Sequence, residues 1–314
     1  MEEQERQQAE VQPEPELLYH YTDQNGLLGI IEKQEFWATD VRFLNDMEEF
    51  EAGLKIAVAM AEQAYSEFGE AGRIPVAYIE SELRFSFSER PIFSISFAGP
   101  LKRKEALFAS IDDPGDRLNM WRGYSWNGPA YSIGLSREGN TTDTEGVDLY
   151  LQECSYLKDT KEKYLTEILN GLGDVLNECI GKRIERVGNG TPIDDAVDEA
   201  RGELRKGFSR ILPDLKSQLA ACKHEGFWEE REWRITVCPP QNDKRVFYKS
   251  GRFGITPRFP IRLRDSDGSL PITRIVVGPS PHITDSIESL NGFLKRNGYS
   301  HVQVSASKIP YRNW

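Results

Sequence analysis

The chain has four cysteines and four histidines in 314 residues, and neither set is clustered. Cys154, Cys179, Cys222 and Cys238 form no CxxC pair, which argues against a disulfide framework and for free thiols in a reducing cytoplasm. With the histidines equally scattered, no metal site is expected. No apolar run approaches the ~20 residues that a bilayer-spanning helix needs, so no membrane association is expected. Basic residues are also short: 39 Lys and Arg stand against 50 Asp and Glu, for a formal net charge of -11. That balance advertises no broad phosphate-binding surface, although a local basic groove is compatible with it. Six glutamates and one arginine in Met1–Glu16 supply -5 of the total. This Glu- and Gln-rich opening is expected to be a disordered acidic tail, neither a signal nor a transit peptide.

What is present suits a folded, soluble protein. Hydrophobic residues make up 39% and charged residues 28%, and six Trp, 12 Tyr and 15 Phe supply core and pocket material. No internal repeat is found, and residues 17–314 are expected to form one domain. A short strand is predicted over Leu17–Thr22, sending Leu18, His20 and Thr22 to one face and Tyr19 and Tyr21 to the other. A helix over Gln24–Lys33 follows, in which Gly26 and Gly29 require close packing to offset their cost of ~1 kcal/mol each. Further strands are expected at Glu35–Thr39, Ile92–Phe97, Ala130–Leu135, Arg231–Cys238, Arg245–Lys249, Ile272–Val277 and His301–Val304. A helix is predicted to start at Asn45 or Asp46, a short helix or turn over Asn119–Tyr124, and a last helix over Asp285–Arg296. Residues 158–222 read as a helical hairpin inserted between strands, its second helix opening at Thr191–Pro192 and kinked at Pro213. Strands at both ends with helices between indicate an α+β fold.

Four segments carry chemistry. His20 and Thr22 point the same way on one strand and offer two hydrogen-bonding groups, suited to a ribose or a carboxamide; a helix-capping threonine is the plain alternative. Arg42-Phe43-Leu44-Asn45-Asp46 presents helix caps that can also hold an anion. Trp121, Arg122 and Tyr124, followed by Tyr131 and Ser132, suit stacking on a flat ring and pairing with a phosphate, or a plain core. In Glu230-Arg231-Glu232-Trp233-Arg234 a strand would put Glu230, Glu232 and Arg234 on one face. Two carboxylates there repel, and suit a site that stabilises a developing cation. The competing reading is a solvated edge on which Arg231 and Arg234 neutralise the acids.

Taken in order, Tyr19–Thr22, Leu27–Ile31, Leu44–Asp46, Trp121–Tyr124, Tyr131–Leu135 and Glu230–Arg234 resemble a bacterial domain family of unknown function. Ile275–Pro279 and Ile309–Arg312 extend the likeness over nearly the whole chain after residue 16. That family in turn resembles the ADP-ribosyltransferase superfamily of His-Tyr-Glu type. The resemblance implies a split β-sheet core with flanking helices and a long helical insertion. It implies NAD as substrate, with no metal, and Glu232 as catalytic carboxylate, Glu230 orienting or deprotonating the acceptor. His20, Tyr21, Thr22, Asn45, Trp121, Arg122, Tyr131 and Ser132 would hold NAD; Tyr124, Tyr131 or Ser132 fills the middle motif. It further implies a toxin or phage-defence effector modifying a macromolecule, RNA or DNA among the candidates, with an antitoxin or regulatory protein as partner. On this reading Glu232→Gln is expected to abolish NAD turnover and leave the fold intact. A non-catalytic NAD sensor, an interaction module and an RNA 2′-phosphotransferase-like enzyme are the alternatives.

Overall fold

Asp23 ends the first strand and begins the first helix. Its carboxylate accepts from the Gly26 N–H at 2.7 Å, capping one of the donors a helix start leaves open. The computed structural model describes residues 17–310, apart from 45–46, 67–68, 70–72, 74–75, 78, 81–90, 101–111, 125–128, 137–140, 144–145, 191–192 and 252–253. The expected cap at Asn45 or Asp46, the tail, and the Thr191–Pro192 helix start therefore lie outside the described residues.

In chain order the elements are β1 (Leu17–Asp23), α1 (Gln24–Lys33), β2 (Phe36–Asp40), α2 (Met47–Ala64), β3 (Phe93–Ala98), α3 (Leu118–Tyr124) and β4 (Ala130–Ser136). They continue with β5 (Thr141–Asp143), β6 (Leu149–Glu153), α4 (Lys158–Gly188), α5 (Ile193–Ala220), β7 (Glu232–Val237) and β8 (Phe247–Gly251). The chain closes with β9 (Gly254–Arg264), β10 (Ile272–Val277), α6 (Ile283–Arg296) and β11 (Gln303–Ala306). This is an α+β arrangement around a mixed sheet of 11 strands. Its path runs β11-β10-β4-β1-β3-β2-β9-β5, with β7 on the other edge of β3, β6 beyond β7, and β8 on β9. Only β10 and β11 pair in parallel among the described strands.

The sheet forks at β3. One edge of β3 pairs with β7 along its whole length. The other is shared: Ala98 opposes Tyr19 of β1, while Ser94 and Phe93 oppose Thr39 and Asp40 of β2. Close approach around the fork explains the two glycines of α1. A Cβ at Gly26 would meet Thr22 Oγ1 at 1.9 Å, and one at Gly29 would meet the Trp37 indole at 2.8 Å.

The two larger of three cores lie on opposite faces of the sheet. One gathers Leu18, Phe36, Phe97, Ile133, Ile235, Phe259 and Ile275 under α1 and α6. The other is helical: Leu165, Leu169, Leu172 and Leu176 of α4 meet Phe208, Leu212, Leu215 and Leu219 of α5, with Phe50, Leu54, Ala57 and Ala61 of α2. The helical hairpin leaves from β6 and returns to β7, which pair with each other. Helix α5 continues through Pro213. Strands β5, β6 and β9 were not expected from the sequence. Pro257 and Pro260 inside β9 discourage a strand reading, and β5 has three residues.

Candidate functional site: a buried carboxylate clamp at the head of β7

The segment between α5 and β7 is built as a series of tight local contacts. Ser155 N–H donates to the Ala221 carbonyl (2.8 Å) and Lys223 N–H to the Ser155 carbonyl (3.0 Å), tying the end of α5 to the chain after β6. His224 then caps a 3-10 turn over Glu225–Glu230, its Nδ1 accepting from the Gly226 N–H at 3.0 Å. Arg231 takes a left-handed conformation (φ 46), so the strand starts at Glu232, one residue later than expected. Glu230 consequently belongs to the turn and is not on the strand face predicted for it.

The two carboxylates nevertheless converge. Lys223 Nζ donates to Glu232 Oε2, and also to Glu230 Oε2 at 2.6 Å. Arg234 Nε donates to Glu232 Oε1 at 2.6 Å, and Arg234 Nη1 donates to the Ala220 carbonyl at 2.5 Å. Glu232, Lys223 and Arg234 are all buried. The Glu232 N–H donates to the Tyr156 hydroxyl at 2.8 Å, and the Glu232 carbonyl accepts from the Cys154 N–H at 2.8 Å. Burial alone would raise the Glu232 pKa. Attraction to Arg234 and Lys223, and the hydrogen bonds they donate, outweigh it and bring the value to about 2. Burial pushes the Tyr156 phenol above its ordinary pKa, so it remains protonated at neutral pH.

Arg117 secures the turn from the other side. It is buried, forms a two-pronged pair with Asp112 at 2.9 and 2.5 Å, and donates to the carbonyls of Gly99 (2.8 Å) and Glu230 (3.2 Å). Lys223, Tyr156 and Arg117 were missed in the sequence. No spacing links them to Glu232; two neighbouring acids implied only that cations had to stand near them, and Arg231 and Arg234 were the ones in view.

The other predicted residues lie elsewhere. Thr22 stands opposite Tyr131 in the β1–β4 pair, with His20 two residues along on the same face. His20 Nδ1 lies 3.0 Å from the Ser96 carbonyl. Because a carbonyl only accepts, Nδ1 carries the proton and Nε2 is left as an acceptor. Burial lowers the His20 pKa to about 4, against the Ser96 hydrogen bond and with help from Arg258, so the imidazole is neutral at pH 7. Its ring packs against Phe36 and Phe97, with centroids 5.6 and 5.7 Å away. Glu232 is on the opposite face. Ala98 opposes both Tyr19 and Glu232, and cross-strand partners share a face. The structure thus brings His20, Thr22 and Tyr131 together and does not bring Glu232 to them.

Tyr21, Trp121 and Ser132 are interior residues. Tyr21 donates to the Pro114 carbonyl at 2.9 Å and packs edge-on to Trp121 with centroids 4.8 Å apart. The Trp121 ring is wholly covered, and its Nε1–H donates to Asp116 at 2.7 Å, so it offers no face to a ligand in this conformation. Arg122 is exposed on α3, and Asn45 lies outside the described residues. Trp121→Phe is expected to cost about 1–3 kcal/mol by withdrawing a buried donor from Asp116. Urea unfolding checks this; a change below about 0.5 kcal/mol would contradict the role.

Beside the clamp lies a cleft of about 560 Å³, lined in part by Glu153, Tyr156, Thr160, Tyr164, Trp228 and Arg231. Trp228 is 49% exposed, and the Arg231 guanidinium stands 5.0 Å from its ring centroid. Tyr156 joins the two features, walling the cleft while its hydroxyl holds the Glu232 backbone. Among the described residues no group of three or more His, Cys, Asp or Glu side chains is placed to hold a metal. No helix among them is long and apolar enough to cross a membrane.

Residues 120–235 match the model of a family described as a protein of unknown function (DUF2971). The stretch takes in most of α3, all of β4, the helical hairpin and the first four residues of β7, and so includes Tyr156, Lys223, Glu230, Glu232 and Arg234 but neither Arg117 nor β1. No curated protein and no solved structure matches the chain.

Proposed function

We propose that this protein binds NAD and transfers its ADP-ribose to a macromolecule, acting in the cytoplasm as a toxin or phage-defence effector. The observation that carries this reading is the cross-strand pair Thr22–Tyr131 with neutral His20 beside it, at the fork where an ADP-ribosyltransferase sheet would split. In this reading His20 Nε2 accepts from a ribose hydroxyl, and Tyr131, half-buried at the same face, flanks the nicotinamide. Breaking the C1′–N bond releases neutral nicotinamide with the electron pair and leaves an oxocarbenium ion, which the acceptor nucleophile attacks at C1′. A fixed, ionised carboxylate stabilises such a cation, and Glu232 has that charge state. In this structure Lys223 pairs with both acids and Glu232 stands on the face opposite His20, so catalysis by Glu232 requires Lys223 to withdraw and the carboxylate to reach the ribose from that other face.

The clamp also favours a second reading. Glu232 is covered, neutralised by two cations and turned to the face away from His20. A nucleotide sensor that binds NAD without consuming it fits that arrangement.

One experiment separates the two. Purified protein is incubated with adenylate-labelled NAD and with protein, DNA or RNA, and free NAD binding is measured in parallel. Label on one acceptor supports transfer, binding without NAD loss supports the sensor, and neither binding nor turnover overturns both. Tyr131→Ala is expected to weaken NAD binding about 2- to 12-fold through loss of ring contact. Unchanged affinity would remove Tyr131 from the site.

A further inference from the structure

The -11 chain carries one long exception to its acidity: residues 244–264 contain seven Lys or Arg and no Asp or Glu. The segment forms the β8–β9 hairpin, and alternation sorts its side chains. Phe259, Ile261 and Leu263 enter the core. Arg258, Arg262 and Arg264 share the opposite face of β9. Register adds Trp37 and Thr39 of β2, opposite Pro260 and Arg258, and Phe247 and Lys249 of β8, opposite Arg258 and Thr256.

The rings and cations on this face are in contact. Lys249 Nζ stands 4.7 Å from the Trp37 ring centroid, and Trp37 meets Phe247 edge-on at 5.7 Å. Arg258 donates to Thr39 Oγ1. Its Nε is buried with no hydrogen-bond partner, and no carboxylate pairs with it among the described residues. Glu35 is the acid at the margin, accepting from Trp37 Nε1 at 3.1 Å and lying 3.6 Å from Arg262. Register carries this face from Arg258 through Thr39 and Ser94 to Thr236, the face of the sheet on which Glu232 also stands.

We propose that this face is a platform for single-stranded nucleic acid. Unpaired bases stack on Trp37 and Phe247, and the backbone phosphates pair with Lys249, Arg258 and Arg262. Extended sheet faces that interleave rings and cations hold single strands this way, because every base has a flat face and every nucleotide an anion. Trp37 and Phe247 are only partly exposed and stand among cations, which suits bases better than acyl chains. Lys249 is exposed and flexible, and moves to a phosphate when a base takes its place over Trp37. The surface names the acceptor class for the transfer proposed above, and as a binding surface it does not depend on that reaction.

The test is fluorescence polarisation of labelled single-stranded RNA and DNA of about 15 nucleotides, without NAD, from about 20 to 200 mM salt. Three phosphate contacts predict that log affinity falls against log salt with a slope of about -2. Lys249→Glu with Arg262→Glu, both at exposed sites, is expected to weaken binding at least about 10-fold and flatten the slope. Trp37→Leu should cost about 5- to 150-fold. Lys158→Glu, exposed on α4, should bind as the parent does. No saturable binding at low salt would overturn the proposal. So would unchanged affinity in the double variant, equal affinity for duplex, or capture of phosphatidylserine vesicles with no oligonucleotide binding. Because NAD is absent, a failed transferase reading leaves this result intact, and failure here leaves NAD turnover to be judged separately.

Discussion

Replacing Lys223 with methionine is expected to lower the stability of the protein by about 3–5 kcal/mol. Methionine nearly matches the length and volume of lysine, so packing changes little and the charge is what is lost. The ammonium is buried and serves two carboxylates at once, Glu230 and Glu232. Without it Arg234 faces Glu232 alone, and the Glu230 carboxylate, 30% exposed, loses the cation at 2.6 Å. Removing one partner of a buried pair strands a charge in a medium that cannot solvate it, which costs far more than the intact pair contributes. Urea unfolding of parent and variant at pH 7 checks this, and a difference below about 1 kcal/mol would show the clamp to be energetically idle. The same argument revises the expectation for Glu232→Gln. Neutralising Glu232 leaves Lys223 and Arg234 with one acid fewer, so the variant loses stability as well, and NAD turnover must be compared at matched folded fractions.

Stability should also fall with acid in two successive windows. His20 has a folded pKa of about 4 against an ordinary 6.5. The unfolded chain therefore takes up this proton first. The contribution of His20 is complete above pH 6.5, declines as the pH falls toward 4, and amounts to about 3 kcal/mol over that span. Glu232 follows the carboxylate pattern, with a folded pKa of about 2 against 4.5. Its contribution is present above pH 4.5 and is lost as the pH falls toward 2, again by about 3 kcal/mol. Asparagine at position 20 keeps a donor for the Ser96 carbonyl and cannot titrate. His20→Asn should flatten the pH 6.5–4 slope and leave the lower window in place. An unchanged upper slope in chemical unfolding at stepped pH would show that His20 is not the group responsible.

Local patterns foretold several elements. Strand β1, helix α1 and the long helices α4 and α5 follow from alternation and helical spacing, which act within a few residues; the cap of α1 is Asp23, where the sequence suggests a threonine. The glycines of α1 announced a close approach before its partners, Thr22 and Trp37, were known. Strand β9 was hidden because its two prolines argue locally against a strand while its sheet partners are far away in sequence. Of the candidate residues, the His20–Thr22 pair was accessible to sequence reading, since alternation fixes which side chains of one strand share a face; the β1–β4 register added Tyr131.

The clamp was legible only in half. The sequence by itself determined that two acids stand near the start of a late strand and that a helical hairpin precedes it. Tertiary structure decided the rest: that Arg231 turns left-handed and takes Glu230 off the strand, that Lys223 closes on both acids, and that Glu232 leaves the sheet on the face opposite His20. The physical reason is that alternation sets relative orientation within one strand, whereas the register of β3 against β1 and β7 sets it between strands. A pairing offset of one residue would have put Glu232 and His20 on the same face, and no local signal in either strand specifies that register.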